Sequence, residues 1–447
     1  MTSDRCGRLL AAIVLLTGAG LGGRPAAAQG LGDDVSIQVA NQFEFYWDTD
    51  LEETVADDRL DAAISRGPFT LGATFLSHSP SDAQRLDLND YGKQVQGVRK
   101  RWLEATTDDL DLRIGDVYAT FGRGLALQVF EDQTVDYDNV LDGFYGAGYF
   151  RDASFEFISG TNSLDDPFQV MKAGQLLLPL PRRFELGLEG VWSDSVGSGL
   201  QSRPGGDRLM GAHLGGSVGE LADVYGEYVT RDYRNFRQGG YEPPQGHGAY
   251  SNLTLYLGKL QLLTEYKDFL RYELPYINPP TANRSHASTL FNRGSHVANI
   301  RFDDERGGLV DAYLTLSDHT RLNGSYSKSE ARHFHAPAWE AYGEIEQWLH
   351  GTEVVLRTGE TEETVREGSD NVFFERITYS GTVVHPFNDI WSLDITGETQ
   401  GVQESNEGTR DFQFPFDYRD NIVSATLNKS PNYSWALTVE WTDDDRQ

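Results

Sequence analysis

Four local patterns in the sequence have residue types that could do chemistry. Gly122-Arg123-Gly124 sets a guanidinium between two glycines, where the backbone can bend sharply or approach another chain closely. Arg123 there is placed to meet a carboxylate such as Asp116 or Glu131, either as a tie between a strand and an inward loop or as a charge at a constriction. Gly215-Gly216-Ser217-Val218-Gly219 has the spacing of a nucleophile elbow, but such an elbow must open a helix, and strand-like residues 221–233 follow instead. His333 and His335 would share one face of a strand, with Glu330 nearby; two imidazoles are fewer ligands than a metal site needs. Asp57-Asp58, Asp165-Asp166, Asp303-Asp304-Glu305 and Asp443-Asp444-Asp445 could offer oxygen ligands to calcium, yet none has the EF-hand spacing, and solvated loops are the simpler reading. None of these patterns nominates a catalytic residue, a cofactor or a metal, and the expectation is a protein that is not an enzyme.

The elements that must position these residues read as strands from end to end. Val35, Ile37, Val39, Phe43, Phe45 and Trp47 alternate with small or polar residues. So do Phe184, Leu186 and Leu188, then Leu253, Leu255 and Leu257, then Trp391, Leu393 and Ile395, and finally Tyr433, Trp435, Leu437, Val439 and Trp441. Successive strand side chains point to opposite faces, so each segment has one apolar and one polar face. Glu340 to Leu349 fits a short helix or a strand, and its alternation favours the strand.

Connections fall into two length classes. Short ones are expected at Arg151-Asp152, Pro181-Arg182, Gly219-Glu220, Gly258-Lys259, Glu305 to Gly308, His350 to Thr352 and Lys429 to Asn432. Long ones are expected at 48–66, 79–96, 122–138, 193–207, 232–247, 271–296, 359–370 and 401–411. Short turns on one side, long loops on the other and aromatics at strand ends are the pattern of an all-β antiparallel transmembrane β-barrel, of roughly 16 to 20 strands.

The beginning of the chain reads as an address. Arg5 and Arg8 precede an apolar run from Leu9 to Leu16, and Ala26-Ala27-Ala28 offers a cleavage site, so residues 1–28 read as a secretory signal peptide. Residues 29–447 then form a single barrel domain. Either its last strand ends at Trp441 with a polar tail, or the chain is incomplete at its C-terminus. Cys6, the only cysteine, falls within the signal, which excludes disulfides and cysteine chemistry from the mature protein. No later stretch is an apolar 18-mer, and an exported chain without membrane helices is either soluble or a barrel. The net charge of −30 disfavours nucleic acid, because phosphate contacts need Lys and Arg. The same charge fits a solvated acidic surface or an acidic lumen that favours cations.

Residues 115–127, Gly-Asp-Val-Tyr-Ala-Thr-Phe-Gly-Arg-Gly-Leu-Ala-Leu, with Asp138-Asn139 after them, resemble an uncharacterised family of outer-membrane barrel proteins from Bacteroidetes and neighbouring phyla. Arg231-Asp232-Tyr233 and Glu265-Tyr266-Lys267-Asp268-Phe269 are similar to that family as well. The resemblance implies a barrel over nearly the whole mature chain, and no activity. The expected location is the bacterial outer membrane, and the expected partners are its lipid and, during insertion, the barrel assembly machinery. The expected role is a passive, porin-like channel or a structural barrel, open or plugged. Eight Trp, 21 Tyr and acidic loops keep a secreted all-β carbohydrate-binding protein as the alternative, and an outer-membrane enzyme as a weaker one.

Overall fold

The structure, a computed structural model, describes residues 35–48, 53–79, 95–132, 137–162, 169–195, 205–235, 240–241, 246–272, 274, 276–293, 304–331, 336–367, 370–405, 417–430 and 433–443. Residues 1–34, among them those expected as a signal peptide, His333 and His335, and most of the long connections therefore lie outside the described residues. Among those described, no helix is long and apolar enough to cross a membrane.

The wall opens with β1 (Val35–Asp48), β2 (Glu53–Arg66), β3 (Phe69–Ser79), β4 (Val95–Thr106) and β5 (Leu110–Val117). The chain then turns inward through two small hairpins, β6 (Ala119–Phe121) with β7 (Leu127–Val129) and β8 (Glu131–Asp132) with β9 (Tyr137–Asp138). It rejoins the wall at β10 (Leu141–Phe150), which pairs directly with β5. The wall continues as β11 (Ala153–Thr161), β12 (Gln169–Leu180), β13 (Phe184–Ser195), β14 (Gly205–Val218) and β15 (Ala222–Asn235). A two-residue piece, β16 (Gly240–Tyr241), leads into β17 (Gly246–Leu257) and β18 (Leu260–Leu270). A second long connection carries the helix α1 (Thr289–Arg293). The last strands are β19 (Glu305–Ser317), β20 (Thr320–Ala331), β21 (Ala336–Leu349), β22 (Thr352–Glu367), β23 (Asp370–Pro386), β24 (Trp391–Ser405), β25 (Tyr418–Lys429) and β26 (Tyr433–Thr442).

Among the described residues the wall strands pair antiparallel in succession, β15 pairing with both β16 and β17, giving one 22-stranded sheet. This exceeds the expected count because strongly polar strands read as loops. Most of 48–66, expected as a loop, is β2, whose Arg59 and Asp61 pair with each other at 3.0 Å. Most of 359–370 is the end of β22, whose Glu363 meets Arg376 of β23 at 2.8 Å. In each case the polar row finds its partners along the inner face of the sheet, on the same or the neighbouring strand. Glu305 to Gly308 is not a turn either: it opens β19, and the turn falls at 318–319. There a Cβ on Gly307 would strike Ser329 of the neighbouring strand, so this glycine serves a close approach. Residues 340–349 are strand, within β21.

The two faces of the sheet differ sharply. On β13 to β15, outward Leu188, Trp192, Met210, Leu214 and Tyr228 are each more than 40% exposed, while inward Val191, Leu209 and Val229 are completely buried. Exposed outward aromatics gather near the turn ends, as at Phe69, Phe150, Phe387 and Tyr433, and near the loop ends, as at Phe45, Trp192, Tyr266 and Trp441. Leu71, Ile114, Leu214, Leu356, Ile395 and Leu437 fill the outer face between them. Tyr433 and Trp441 are separated by roughly 27 Å of strand at about 3.4 Å per residue. Such a tilted strand suits an apolar band about 25 Å tall between two aromatic girdles. The chain is an antiparallel transmembrane β-barrel.

The candidate lumen constriction

Two inward segments occupy the interior, and they are built differently. The first, described over residues 118–132 and 137–140, holds the two small hairpins, and its apolar side chains settle on the wall. Phe121, Leu125 and Leu127 are fully buried in one cluster with Ile158, Met171, Val191, Leu209 and Val229 of β11 to β15. At its tip, Gly122 and Gly124 have φ of 55° and 86°, the left-handed region that favours glycine. A Cβ on Gly122 would also run into the Glu227 carboxylate, so the backbone could not come this close to the wall with a side chain there.

That close approach lets the wall hold the tip by its backbone. The Gly122 N–H donates to Gln175 Oε1 at 3.1 Å, and the Arg123 N–H donates to Glu227 Oε2 at 2.7 Å. The Tyr225 hydroxyl donates to the same Glu227 oxygen at 2.6 Å. The Arg123 side chain stays exposed, its guanidinium 5.0 Å from the centroid of the Tyr225 ring. Arg123 thus stands at a bend as its glycines suggest, but its anchor is Glu227, which the sequence does not single out.

The carboxylates expected beside Arg123 lie elsewhere. Glu131 ties the root of the same segment to the wall: Arg59 Nη1 reaches Glu131 Oε1 at 2.7 Å and Lys100 Nζ reaches Oε2 at 2.6 Å. Lys100 also meets Asp138 at 3.0 Å. Burial alone would raise the Glu131 carboxyl, but the hydrogen bonds from Arg59 and Lys100 outweigh it and hold the group below the usual carboxylate range. Asp116 is on the other face of the sheet. Alternation in β5 puts it with outward Ile114, opposite Asp142 of β10, where it accepts the Arg101 backbone N–H. One residue of register decides this, because a one-residue step moves a side chain to the opposite face.

The second inward segment, described at residues 271, 272, 274 and 276–293, runs from contacts with the first segment to the far wall. Tyr272, fully buried, fits over Gly248 and donates its hydroxyl to the Leu125 carbonyl at 3.0 Å. The Gln128 N–H donates to the Tyr276 carbonyl at 2.8 Å, joining the two segments. Further along, Arg284 Nε lies 3.2 Å from Asp311 of β19. His286 stacks on Tyr342 of β21 with ring centroids 3.8 Å apart, and burial pushes its imidazole down to about 4. Glu398 of β24 gathers three donors, the Ser288 hydroxyl at 2.8 Å and the N–H groups of Leu290 at 2.9 Å and Thr289 at 3.1 Å. The Phe291 ring fills the space that a Cβ on Gly359 would take, and Arg293 pairs with Glu440 of β26. The joined segments therefore touch β2 and β4 at one end of the strand order and β24 and β26 at the other, so the sheet is curled around them.

Beyond these anchors the inner wall is polar. Arg357 pairs with Glu344 at 2.8 Å, and Arg357 also donates to Thr382 at 2.8 Å. Glu265 of β18 feels Arg123 and Arg284, one guanidinium from each inward segment, together with Asp311. This is an assembly of fixed charges beside a packed plug.

The other candidates resolve as follows. Ser217 ends β14 beside a hairpin turn and donates to Asp223 at 2.6 Å; a strand, not a helix, follows it. Asp57 and Asp58 are on β2, not in a loop. Among the described residues no three or more His, Cys, Asp or Glu side chains are arranged to hold a metal ion.

Residues 40–161 match a family of unknown function, DUF6029. The matched stretch runs from β1 through β11 and includes the whole first inward segment; the similarity noted at 231–233 and 265–269 lies outside it. No curated protein matches the sequence. Among solved structures, OccK11 (OpdR) of Pseudomonas aeruginosa superposes with a TM-score of 0.43 at 10% identity, covering 78% of this chain and 93% of that one. The P pilus usher (PapC) translocation pore gives 0.41 at 10% identity, covering 91% and 99%. OccAB2 of Acinetobacter baumannii gives 0.42 at 9% identity, covering 92% and 98%. These superpositions are loose, and the membrane assignment rests on the chain's own two faces.

Proposed function

We propose that the protein is a passive outer-membrane channel that favours cations, narrowed by its two inward segments. In this reading residues 1–28 direct export and are removed, and the assembly machinery inserts the barrel into outer-membrane lipid. The observation that carries the proposal is the contrast between wall and tip. The inner-wall carboxylates Glu227, Glu265, Asp311, Glu344 and Glu398 outnumber the guanidiniums of Arg284 and Arg357, which pair with two of them, while the exposed guanidinium of Arg123 stands at the tip of the first segment. Fixed charges at a narrow point set which ions enter, and their effect is strong where low-dielectric walls focus the field. In this account Arg123 is a single cation at the constriction that partly offsets the field of the wall carboxylates, Glu131 is a structural tie, and Asp116, buried on the other face of the sheet, takes no part.

The test is single-channel recording in planar bilayers under a salt gradient. The expected result is discrete steps whose reversal potential has the sign of a cation preference. Anion preference would refute the charge argument. Silence would favour a second reading, a plugged structural barrel, for which the dry packing of Phe121, Leu125 and Tyr272 is the specific support. A secreted carbohydrate-binding module would need polar outward rows where Leu214, Leu356 and Ile395 stand.

A further inference from the structure

The outer wall has a groove of about 810 Å³ over β17 to β20, close to the ends that lead to the long connections. Its shape follows from register. Tyr266, Gly308 and Lys328 form one outward row across β18, β19 and β20, and Thr264, Val310 and Tyr326 form the row beneath. Gly308 has no side chain, so the upper row has a gap between Tyr266 and Lys328. Tyr266 and Tyr326, each about half exposed, frame that gap, and Leu253 and Val310 give it an apolar floor. Above the gap, the next row brings Arg306, exposed and 3.2 Å from Glu330.

Two exposed cations, Lys328 and Arg306, therefore stand at the lip of an apolar slot in a chain whose net charge is −30. Depth makes this specific. Lys328 lies three residues before the end of β20, about 10 Å along the strand. That is headgroup depth on the loop side, which is the external side in barrels of this kind. A lysine there runs its alkyl stem over the apolar surface and lifts its ammonium to the interface. Arg306 keeps donors beyond the one spent on Glu330, and a guanidinium fork matches phosphate oxygens. The volume is that of a small-ligand or cofactor site.

We propose that this groove is a specific site for a phosphorylated, acylated glycolipid of the outer leaflet. One acyl chain lies in the Gly308 gap between Tyr266 and Tyr326, and a phosphate rests on Lys328 and Arg306. The apolar floor argues against free phosphate, which would gain nothing from it, and the site is independent of whether the lumen conducts.

The experiment is native mass spectrometry of the full-length barrel in detergent, titrated with diphosphorylated lipid A and with its dephosphorylated form. The expected result is one retained molecule of the phosphorylated lipid, bound about tenfold more tightly than the dephosphorylated one. The double variant K328E and R306E should lose that preference, and Gly308→Phe should weaken both lipids by filling the gap. Both variants should keep heat-modifiable migration, which shows an intact barrel, and unchanged conductance, because the groove faces away from the lumen. Equal binding of the dephosphorylated lipid, unchanged binding in both variants, or displacement by excess inorganic phosphate would overturn the proposal. So would lipid-independent dimers that Gly308→Phe abolishes, since the groove would then seat a second copy of the chain.

Discussion

The interior differs between its two sides. Against β11 to β17, the first inward segment packs as a small hydrophobic core, with Phe121, Leu125 and Leu127 showing no exposure at all. Against β20 to β26, the second segment buries two apolar side chains, Leu290 and Phe291, and adds polar contacts around them: Glu398 to the start of α1, Arg293 to Glu440, and His286 stacked on Tyr342 beside Ser325. Burial of apolar area is non-directional and cumulative, while a hydrogen bond that replaces a bond to water contributes only about 1 kcal/mol net. The first segment is thus anchored by a wide apolar cluster, and the far end of the second by two buried apolar side chains, Leu290 and Phe291, together with titratable and polar contacts.

Substitutions can break this contrast. The largest effect is expected from Phe121→Ala, which empties a fully buried site and should cost about 3–5 kcal/mol. Denaturant unfolding of the barrel would read it, and Arg357→Ala on the polar side should cost clearly less in the same assay. Next, Glu398→Gln keeps the shape but removes the charge that gathers three donors at Ser288 to Leu290. It should expose residues 282–293 to hydrogen exchange and raise conductance while leaving the first segment protected. Acid should act on the same segment. The docked His286 imidazole titrates near 4, below its ordinary 6.5, so the docked state binds fewer protons than the released one. Docking should weaken as the pH falls from 6.5 toward 4, with Arg284, Asp311 and Glu344 as the charged groups that face the ring. Hydrogen exchange of 282–293 across that range checks this, and His286→Phe should flatten the dependence. The smallest effect on stability is expected from Arg123→Glu, since the anchor is the Arg123 backbone N–H and not its side chain. It should leave unfolding nearly unchanged and strengthen cation preference in bilayer recordings.

Much of this was legible in the residues. The alternation of Phe184 to Leu188 and of Tyr433 to Trp441 gives the strands and their outward faces, because lipid imposes an uninterrupted apolar row. Gly122 and Gly124 mark the bend where the chain meets the wall. What stayed hidden has a physical cause. The strands β2 and β22 look like loops because their polar rows are satisfied on the inner face of the sheet, through neighbouring-strand pairs such as Arg376 with Glu363. Glu227 and Glu398 are two of 68 acidic residues, and nothing local distinguishes them. Curling the sheet is what brings Glu398 to residues 108–110 positions earlier in the chain. Asp116 was misplaced by the same feature that made the strands legible, since the period-two rule gives a face only when the phase is known.

The central claim is that one face of every strand meets lipid while the other meets the plug or water. It is tested most directly by spin labels placed one at a time on cysteines at Leu214, Leu356 and Ile395, and at Glu344, Thr382 and Thr396, in reconstituted vesicles. The account predicts that labels at the first three collide with oxygen dissolved in lipid, and that labels at the last three collide with a water-soluble relaxing agent. Equal accessibility of both sets to the aqueous agent would contradict it.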